Sequence, residues 1–71
     1  MNRIVIMEGV RGGRPVIAGT RITVSEVLEM LGSGMAEADI LEAFPNLSAE
    51  DIRAVLAYAA REFDHPVVAA P

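Results

Sequence analysis

Two capping boxes mark the starts of helices in the second part of the chain. Thr23 is followed three residues later by Glu26, and Ser48 by Asp51, so that each side-chain pair can bond the first backbone N–H groups of a helix. Behind both caps, apolar residues recur at the spacing of one helical face, which predicts a buried stripe. These residues are Val24, Val27, Leu28 and Leu31 in the first helix, and Ile52, Val55, Leu56, Ala59 and Phe63 in the third.

A shorter helix is predicted between these two, over about residues 36–44. Glu37 and Asp39 lie in its first turn, where acids suit the helix dipole. The glycines of Gly32-Ser33-Gly34 end the first helix, and Pro45 ends the second. The apolar side of this middle helix consists of Ile40, Leu41 and Phe44.

Two short β-branched runs precede the helices. Ile4-Val5-Ile6 and Pro15-Val16-Ile17 are typical of strands, and the glycine-rich segment between them predicts a turn. An isolated hairpin is barely stable in water, so it must pack on the helices or on a second copy. The sequence therefore predicts a small α+β fold, mainly α, with a hairpin segment at 1–22 and three helices at 23–63 in one domain, followed by a short tail at 64–71.

The chain is too short to build a large core. Its 71 residues contain no cysteine and a single histidine, His65, so neither a disulfide nor a structural metal site is expected. The apolar fraction of 52% exceeds what so small a body can hide. We therefore expect a homodimer, with the hairpin or the first helix at the interface. No stretch has the character of a signal peptide or a membrane span, and a cytoplasmic location is expected.

Charge is distributed unevenly along the chain. Residues 1–25 hold four arginines against one acid, a net charge of +3, whereas residues 26–71 hold two arginines against nine acids, a net charge of −7. Arginine has a planar fork suited to carboxylates and phosphates, which indicates partner recognition. The alternative without a functional role is that arginine replaces lysine throughout the chain because of a GC-rich genome.

The inventory of side chains argues against an enzyme. There is no cysteine nucleophile and no lysine, and Ser25, Ser33 and Ser48 have local roles at helix ends or turns. His65 is distant in sequence from all three serines. We expect no cofactor, no metal and no small-molecule substrate, because a domain of this size has little room for a closed pocket.

The second helix, its short turn and the third helix have the layout of a helix-turn-helix. The layout alone is weak evidence for DNA binding. In a helix-turn-helix protein, the N-terminal residues of the second helix of the motif enter the major groove of DNA. Here these residues are Ala49, Glu50 and Asp51, and the two acids would repel the DNA phosphates. Arg53 is the first cation of this helix that could contact DNA.

Three segments together resemble one family. They are GGRPVIAGTRITV at 12–24, LEMLGSGM at 28–35 and DILEAFPNLSAEDIRAVLAYAA at 39–60. They are similar to the domain-of-unknown-function family DUF433, from which Ala36 and Phe44 are small departures. The resemblance implies a homeodomain-like helix-turn-helix fold and a VapB-type antitoxin that neutralises a PIN-like ribonuclease toxin. It also implies repression of the antitoxin's own operon by DNA binding.

The candidate residues for contact with DNA or toxin are arginines near the glycine turns. Arg11 and Arg14 flank the loop and are expected to be exposed, and Thr20-Arg21 lies in the distinctive GTR segment. With Arg53 these form the predicted site, and an arginine placed near the acidic metal site of a toxin is a plausible inhibitory device. The structural alternative is that Thr20 bonds the backbone locally and that Arg21 pairs with an acid of the first or third helix.

Two other functions stay open from the sequence. One is a stand-alone helix-turn-helix transcriptional regulator, and the other is a protein-interaction module without DNA binding, which explains the acidic third helix most easily. The apolar tail at 64–71 is either a frayed end or a segment that orders against a partner.

Overall fold

The computed structural model describes residues 3–63, which form a two-stranded antiparallel hairpin and three helices. This is the predicted α+β, mainly α, fold. The elements are β1 at Ile4–Val5, β2 at Val16–Ile17, α1 at Val24–Gly32, α2 at Glu37–Ala43 and α3 at Ala49–Glu62, with a short 3-10 turn at Arg11–Gly13 between the strands. The tail at 64–71 lies outside the described residues.

The hairpin is shorter than the sequence predicted. Ile4 is paired with Ile17 and Val5 with Val16, while Ile6 lies beyond the last pair and is 61% exposed. Val16 also forms a bridge with Thr23 on its other side, so the chain before α1 adds a third extended piece. The hairpin packs on the helices through β1, which contacts α3.

Both predicted capping boxes are present. Thr23 Oγ1 accepts a hydrogen bond from the Glu26 backbone N–H at 3.0 Å, and Glu26 Oε1 accepts one from Thr23 N–H at 2.9 Å. Ser48 and Asp51 exchange the same two bonds at the start of α3, at 3.2 and 3.0 Å. In α2 only the return bond exists, because Ala36 has no side-chain acceptor, and Asp39 Oδ2 accepts from Ala36 N–H at 3.0 Å. Local hydrogen bonding therefore fixes where each helix begins.

The core lies where the three helices meet the hairpin. Its fully buried side chains include Val16, Ile17, Val27, Ile40, Ile52 and Val55. Two residues of the predicted buried stripe of α3 are instead exposed, Leu56 at 47% and Phe63 at 70%. Each residue turns a helix by about 100°, so α3 buries Ile52 and Val55 against its neighbours while Leu56 lies at the edge of that contact. Phe63 follows the last helical residue and is the last residue that the structure describes, beyond the part of α3 that packs on the core.

The helix connections follow their turn residues. Gly34 has a φ of +102° after α1, a backbone conformation that glycine adopts at little cost. Between α2 and α3, Leu47 is buried and joins the core. Among residues 3–63, no helix has the length and hydropathy needed to cross a membrane.

Candidate binding groove

Arg11 connects the hairpin turn to the start of α1. Its guanidinium donates to both carboxylate oxygens of Glu26 at 3.1 Å and to the backbone carbonyl of Arg21 at 2.7 Å. The backbone of Arg11 has a φ of +49°, which is rare for a residue with a side chain. The sequence predicted an exposed Arg11, but its side chain is only 31% exposed because these three bonds draw it onto the domain.

Glu26 serves the helix cap and the ion pair at once. The Arg11 guanidinium, together with the hydrogen bond from the Thr23 backbone, lowers the pKa of the Glu26 carboxyl to about 2. A two-pronged pair of this kind fixes orientation better than a single bond does. Arg11 and Glu26 therefore hold the segment before α1 in one position relative to the helix.

In the GTR segment, Thr20 has the local structural role that was the alternative to partner contact, whereas Arg21 does not. Thr20 Oγ1 donates to the carbonyl of Ile17 at 2.8 Å and accepts from Ile22 N–H at 3.0 Å, so Thr20 bonds the backbone locally. Gly19 has a φ of +80° and forms the bend. The expected pairing of Arg21 with an acid is not seen within residues 3–63. There, Arg11 makes the pair with Glu26, and the exposed Arg21 side chain makes no hydrogen bond or ion pair.

Arg21 lies on the rim of a groove of about 590 Å³ that runs between the GTR segment, α1 and the end of α2. We call it the α1 groove. Its apolar lining consists of Ile22, Met30 and Phe44, each partly buried, and its polar lining consists of Arg11, Arg21, Glu26, Glu29 and Ser33. The groove thus combines apolar side chains with charged side chains of both signs.

The structure divides the predicted site residues into two groups. Arg11 and Arg21 line the α1 groove, and Thr20 supports it from the adjacent turn. Arg14 and Arg53 are exposed and are not among the residues that line the groove. The predicted set is therefore not one continuous arginine surface around this groove.

The acids at the start of α3 have a partner that the sequence did not reveal. Arg3 donates to Asp51 Oδ1 at 2.9 Å and lies 3.4 Å from Glu50 Oε1. Burial on its own raises the pKa of Asp51, but the hydrogen bonds from Ser48 and Arg3 outweigh it and hold the pKa below the ordinary value. Arg3 thus offsets the acids that α3 would otherwise present, and it is itself occupied in doing so.

Sequence reasoning identified Arg11 and Arg21 but missed the apolar residues that line the groove. The sequence placed Phe44 on the apolar side of the middle helix and assigned neither Phe44 nor Met30 to a binding site. Their only signal was helical spacing, which does not show where two elements leave a gap. Within the described part of the chain, no group of three or more histidine, cysteine, aspartate or glutamate residues is arranged to hold a metal ion.

A short hairpin laid on three capped helices, with an open groove beside α1, defines a small α+β domain. The chain belongs to the DUF433 family of proteins of unknown function, whose family model matches residues 4–59. This confirms the resemblance to that family; the match carries no activity with it.

Two relatives illustrate the family. The fold is similar to the crystal structure of a DUF433 member protein from Anabaena variabilis, with a TM-score of 0.83 and 34% sequence identity over 86% of this chain and 60% of that one. The uncharacterised protein y4eO of Sinorhizobium fredii is 44% identical over 48 residues, which are 68% of this chain and 22% of that protein. The chain therefore spans only part of each relative.

Proposed function

We propose that this domain binds a protein partner through the α1 groove. The observation that carries the proposal is Arg21, an exposed cation with no bonding partner among residues 3–63, at the rim of an apolar groove. Aromatic, methionine and arginine side chains are enriched at the centres of protein interfaces, and Phe44, Met30 and Arg21 supply one of each.

The rim is held in place before any partner arrives. Arg11 bonds both Glu26 and the carbonyl of Arg21, so the backbone that carries Arg21 is tied to α1. Ordering a loop on binding costs free energy, and a tied loop avoids much of that cost. Arg11 thus acts as a positioning residue for Arg21, and Arg21 is the contact we assign to the partner.

The particular partner we propose is a PIN-like ribonuclease toxin, which makes the domain a VapB-type antitoxin. The support is the family resemblance together with the position of Arg21. A toxin of this class holds its metal with acidic residues, and an exposed guanidinium can bond carboxylates in a fixed two-pronged geometry. On this proposal the pair acts in the cytoplasm, and Arg21, with exposed Arg14 beside the turn, supplies the attraction.

Co-expression with the product of the adjacent reading frame tests this proposal. We expect that product to be toxic alone, harmless with this chain, and to co-elute with it in size exclusion. Arg21→Glu should abolish co-elution. Arg53→Glu makes the same charge reversal at an exposed position of α3 and should leave co-elution intact. A complex that survives Arg21→Glu and is lost with Arg53→Glu contradicts the groove as the binding site.

A second candidate is operator binding by α2 and α3, either beside the antitoxin role or as a stand-alone regulator. The short connection between these helices and the exposed Arg53 favour it. Charge disfavours it, because residues 37–62 hold six acids against two arginines, a net charge of −4. DNA affinity should fall steeply with salt if arginines contact phosphates. Salt-sensitive binding to the upstream duplex that Arg53→Gln weakens would support this role.

The remaining alternative is an interaction module that neither neutralises a toxin nor binds DNA. It shares the α1 groove with the antitoxin proposal and differs in the partner. Co-elution with a neighbouring product that is harmless when expressed alone would select it.

A further inference from the structure

The charged side chains that line the α1 groove divide into one bonded pair and two free charges. Arg11 donates to both carboxylate oxygens of Glu26 at 3.1 Å, so these two charges largely neutralise each other. Arg21 and Glu29 are exposed, and neither side chain makes an ion pair or a hydrogen bond among residues 3–63. The groove therefore offers one cation and one anion to whatever occupies it.

The two free charges are separated along α1. The carbonyl of Arg21 accepts a hydrogen bond at 2.7 Å from Arg11, which also bonds Glu26 in the first turn, so Arg21 lies at the N-terminal end of the helix. Glu29 follows the N-cap Thr23 by six residues, which is about 9 Å along the helix axis. An occupant that lies along α1 thus meets a positive charge first and a negative charge nearly two turns later.

Apolar side chains line the same groove. Ile22, Met30 and Phe44 pack against the core but are only partly buried, so part of each remains accessible. At about 100° per residue, Glu26, Glu29 and Met30 lie within a sector of roughly 100° on one side of α1. The helix therefore presents its charged and its apolar contacts together.

The backbone beside the groove is largely bonded within the domain. Ile22 N–H donates to Thr20 Oγ1 at 3.0 Å, and its carbonyl accepts from Ile17 N–H at 2.9 Å. The carbonyl of Arg21 accepts from Arg11. An extended peptide binds by adding main-chain hydrogen bonds, which these bonded groups do not offer. A helix satisfies its own backbone and contributes only side chains, so it suits this groove better.

We propose that the α1 groove receives one amphipathic helix of a protein partner, with an acid, an apolar residue and a base on one side. The acid bonds Arg21 and the base bonds Glu29. The apolar side chain packs among Ile22, Met30 and Phe44. Positions i, i+4 and i+7 of a helix share one side and span about 10 Å, which matches the separation of the two charges. This inference rests on the proposed function, because it specifies the partner surface that the groove binds.

Synthetic helical peptides test the proposal without knowledge of the partner. Each carries leucine at position i+4, and they differ only at i and i+7, which hold glutamate and lysine, two glutamates, two lysines or two glutamines. Each is titrated into the isotope-labelled full chain, and the methyl signals of Ile22 and Met30 give its dissociation constant. The glutamate–lysine peptide should bind roughly threefold to tenfold more tightly than the other three.

Reversing one free charge should change which peptide binds best. In Glu29→Arg the peptide with two glutamates should bind more tightly than the glutamate–lysine peptide, because the groove then offers two cations. Glu37→Arg makes the same charge change at an exposed position of α2 that does not line the groove, and it should keep the preference of the parent chain. This control also accounts for the general effect of the chain's net charge.

Three results overturn the proposal. They are a parent chain whose methyl signals do not shift with millimolar peptide, a glutamine peptide that binds as tightly as the glutamate–lysine peptide, and equal effects of Glu29→Arg and Glu37→Arg. Methyl shifts that depend on the concentration of the chain alone overturn it as well, because they assign the groove to a second copy.

The product of the adjacent reading frame separates this proposal from the proposed function. If its complex is lost with Arg21→Glu and keeps its affinity in Glu29→Arg, the groove remains the binding site and the acid–apolar–base helix is wrong. If the product does not bind while the peptides show the expected change of preference, the helix chemistry stands and that product is not the partner.

Discussion

Replacing Glu26 with glutamine isolates the charge that joins the hairpin turn to α1. Glutamine keeps an oxygen that can accept from the Thr23 N–H, so the cap geometry is retained. What disappears is the carboxylate that receives both bonds from Arg11. Glu26→Gln therefore measures the ion pair separately from the helix cap.

The expected loss follows from the pKa of the Glu26 carboxyl. Lowering it from 4.5 to about 2 would correspond to roughly 3 kcal/mol if the whole effect entered the free energy of unfolding. The Glu26 side chain is 42% exposed, and solvent screens such a pair. We therefore expect a loss of about 1 kcal/mol at pH 7, which is a large part of the stability of so small a domain.

Urea unfolding followed by circular dichroism measures this loss, and its pH dependence tests the cause. The folded pKa lies below the unfolded one, so the ion pair stabilises fully above pH 4.5 and the effect vanishes as pH falls through about 2. By pH 3 the difference between the parent and Glu26→Gln should shrink to less than roughly half of its value at pH 7.

Asp39→Asn is the matched control, because Asp39 occupies the same position in the start of α2 and has no arginine among its hydrogen-bond partners within residues 3–63. It should lose less than Glu26→Gln at pH 7. The reasoning is refuted if the two variants lose equal stability, or if the loss in Glu26→Gln is the same at pH 3 as at pH 7.

Three further predictions concern the rest of the fold. Ile52 is fully buried, so Ile52→Val should lower the free energy of unfolding, measured by urea titration, by about 1 kcal/mol. Ile52→Ala should lower it by roughly 2–5 kcal/mol and reduce the dispersion of the NMR spectrum. Nearly equal losses in the two variants would contradict the tight packing around Ile52. Neither Gly19 nor Gly32 would bring a new Cβ within 4 Å of another group, but only Gly19 has a positive φ. In thermal unfolding, Gly19→Ala should therefore destabilise the domain by about 1 kcal/mol, whereas Gly32→Ala should stabilise it slightly. Stability changes of the same sign in the two variants would refute this reasoning. Asp51→Asn should lose about 1 kcal/mol at pH 7, and that loss should diminish as acid titrates the parent carboxyl, since its folded pKa is lowered; a loss that grows toward low pH would contradict this.

Sequence reasoning predicted the elements that depend on neighbours in the chain. Thr23 and Ser48 cap α1 and α3 because the bonds involved span three residues, and such bonds are legible in the sequence. Helical spacing likewise identified Val27 and Val55 as core residues. These local predictions were confirmed, whereas the same kind of pattern wrongly placed Ile6 in a strand and Phe63 in the buried stripe.

Contacts between distant parts of the chain were not predictable in the same way. Arg11 pairs with Glu26 fifteen residues away, and Arg3 with Asp51 forty-eight residues away. Nothing in spacing or composition selects these partners, so Arg11 was expected to be exposed and Arg3 was given no role. Leu56 shows a second limit of sequence reasoning. Periodicity predicts the apolar side of a helix, but it does not show which residues of that side the neighbouring elements leave exposed.

The groove depends on the same kind of information. Ile22, Met30 and Phe44 come from three separate segments, and only the packing of α1 beside the GTR segment and the end of α2 leaves a space between them. Arg21 was identified from its motif before that space was known. The residue type was predicted, whereas the surroundings that give it a role required the fold.

The most direct test of the binding proposal is a chemical-shift map. Isotope-labelled chain is titrated with the purified product of the adjacent reading frame, and the backbone and methyl signals are followed. The account predicts that the largest changes occur at Arg21, Ile22, Met30, Ser33 and Phe44, with Arg53 little affected. Changes confined to α3 around Arg53, with the groove signals unmoved, would contradict it.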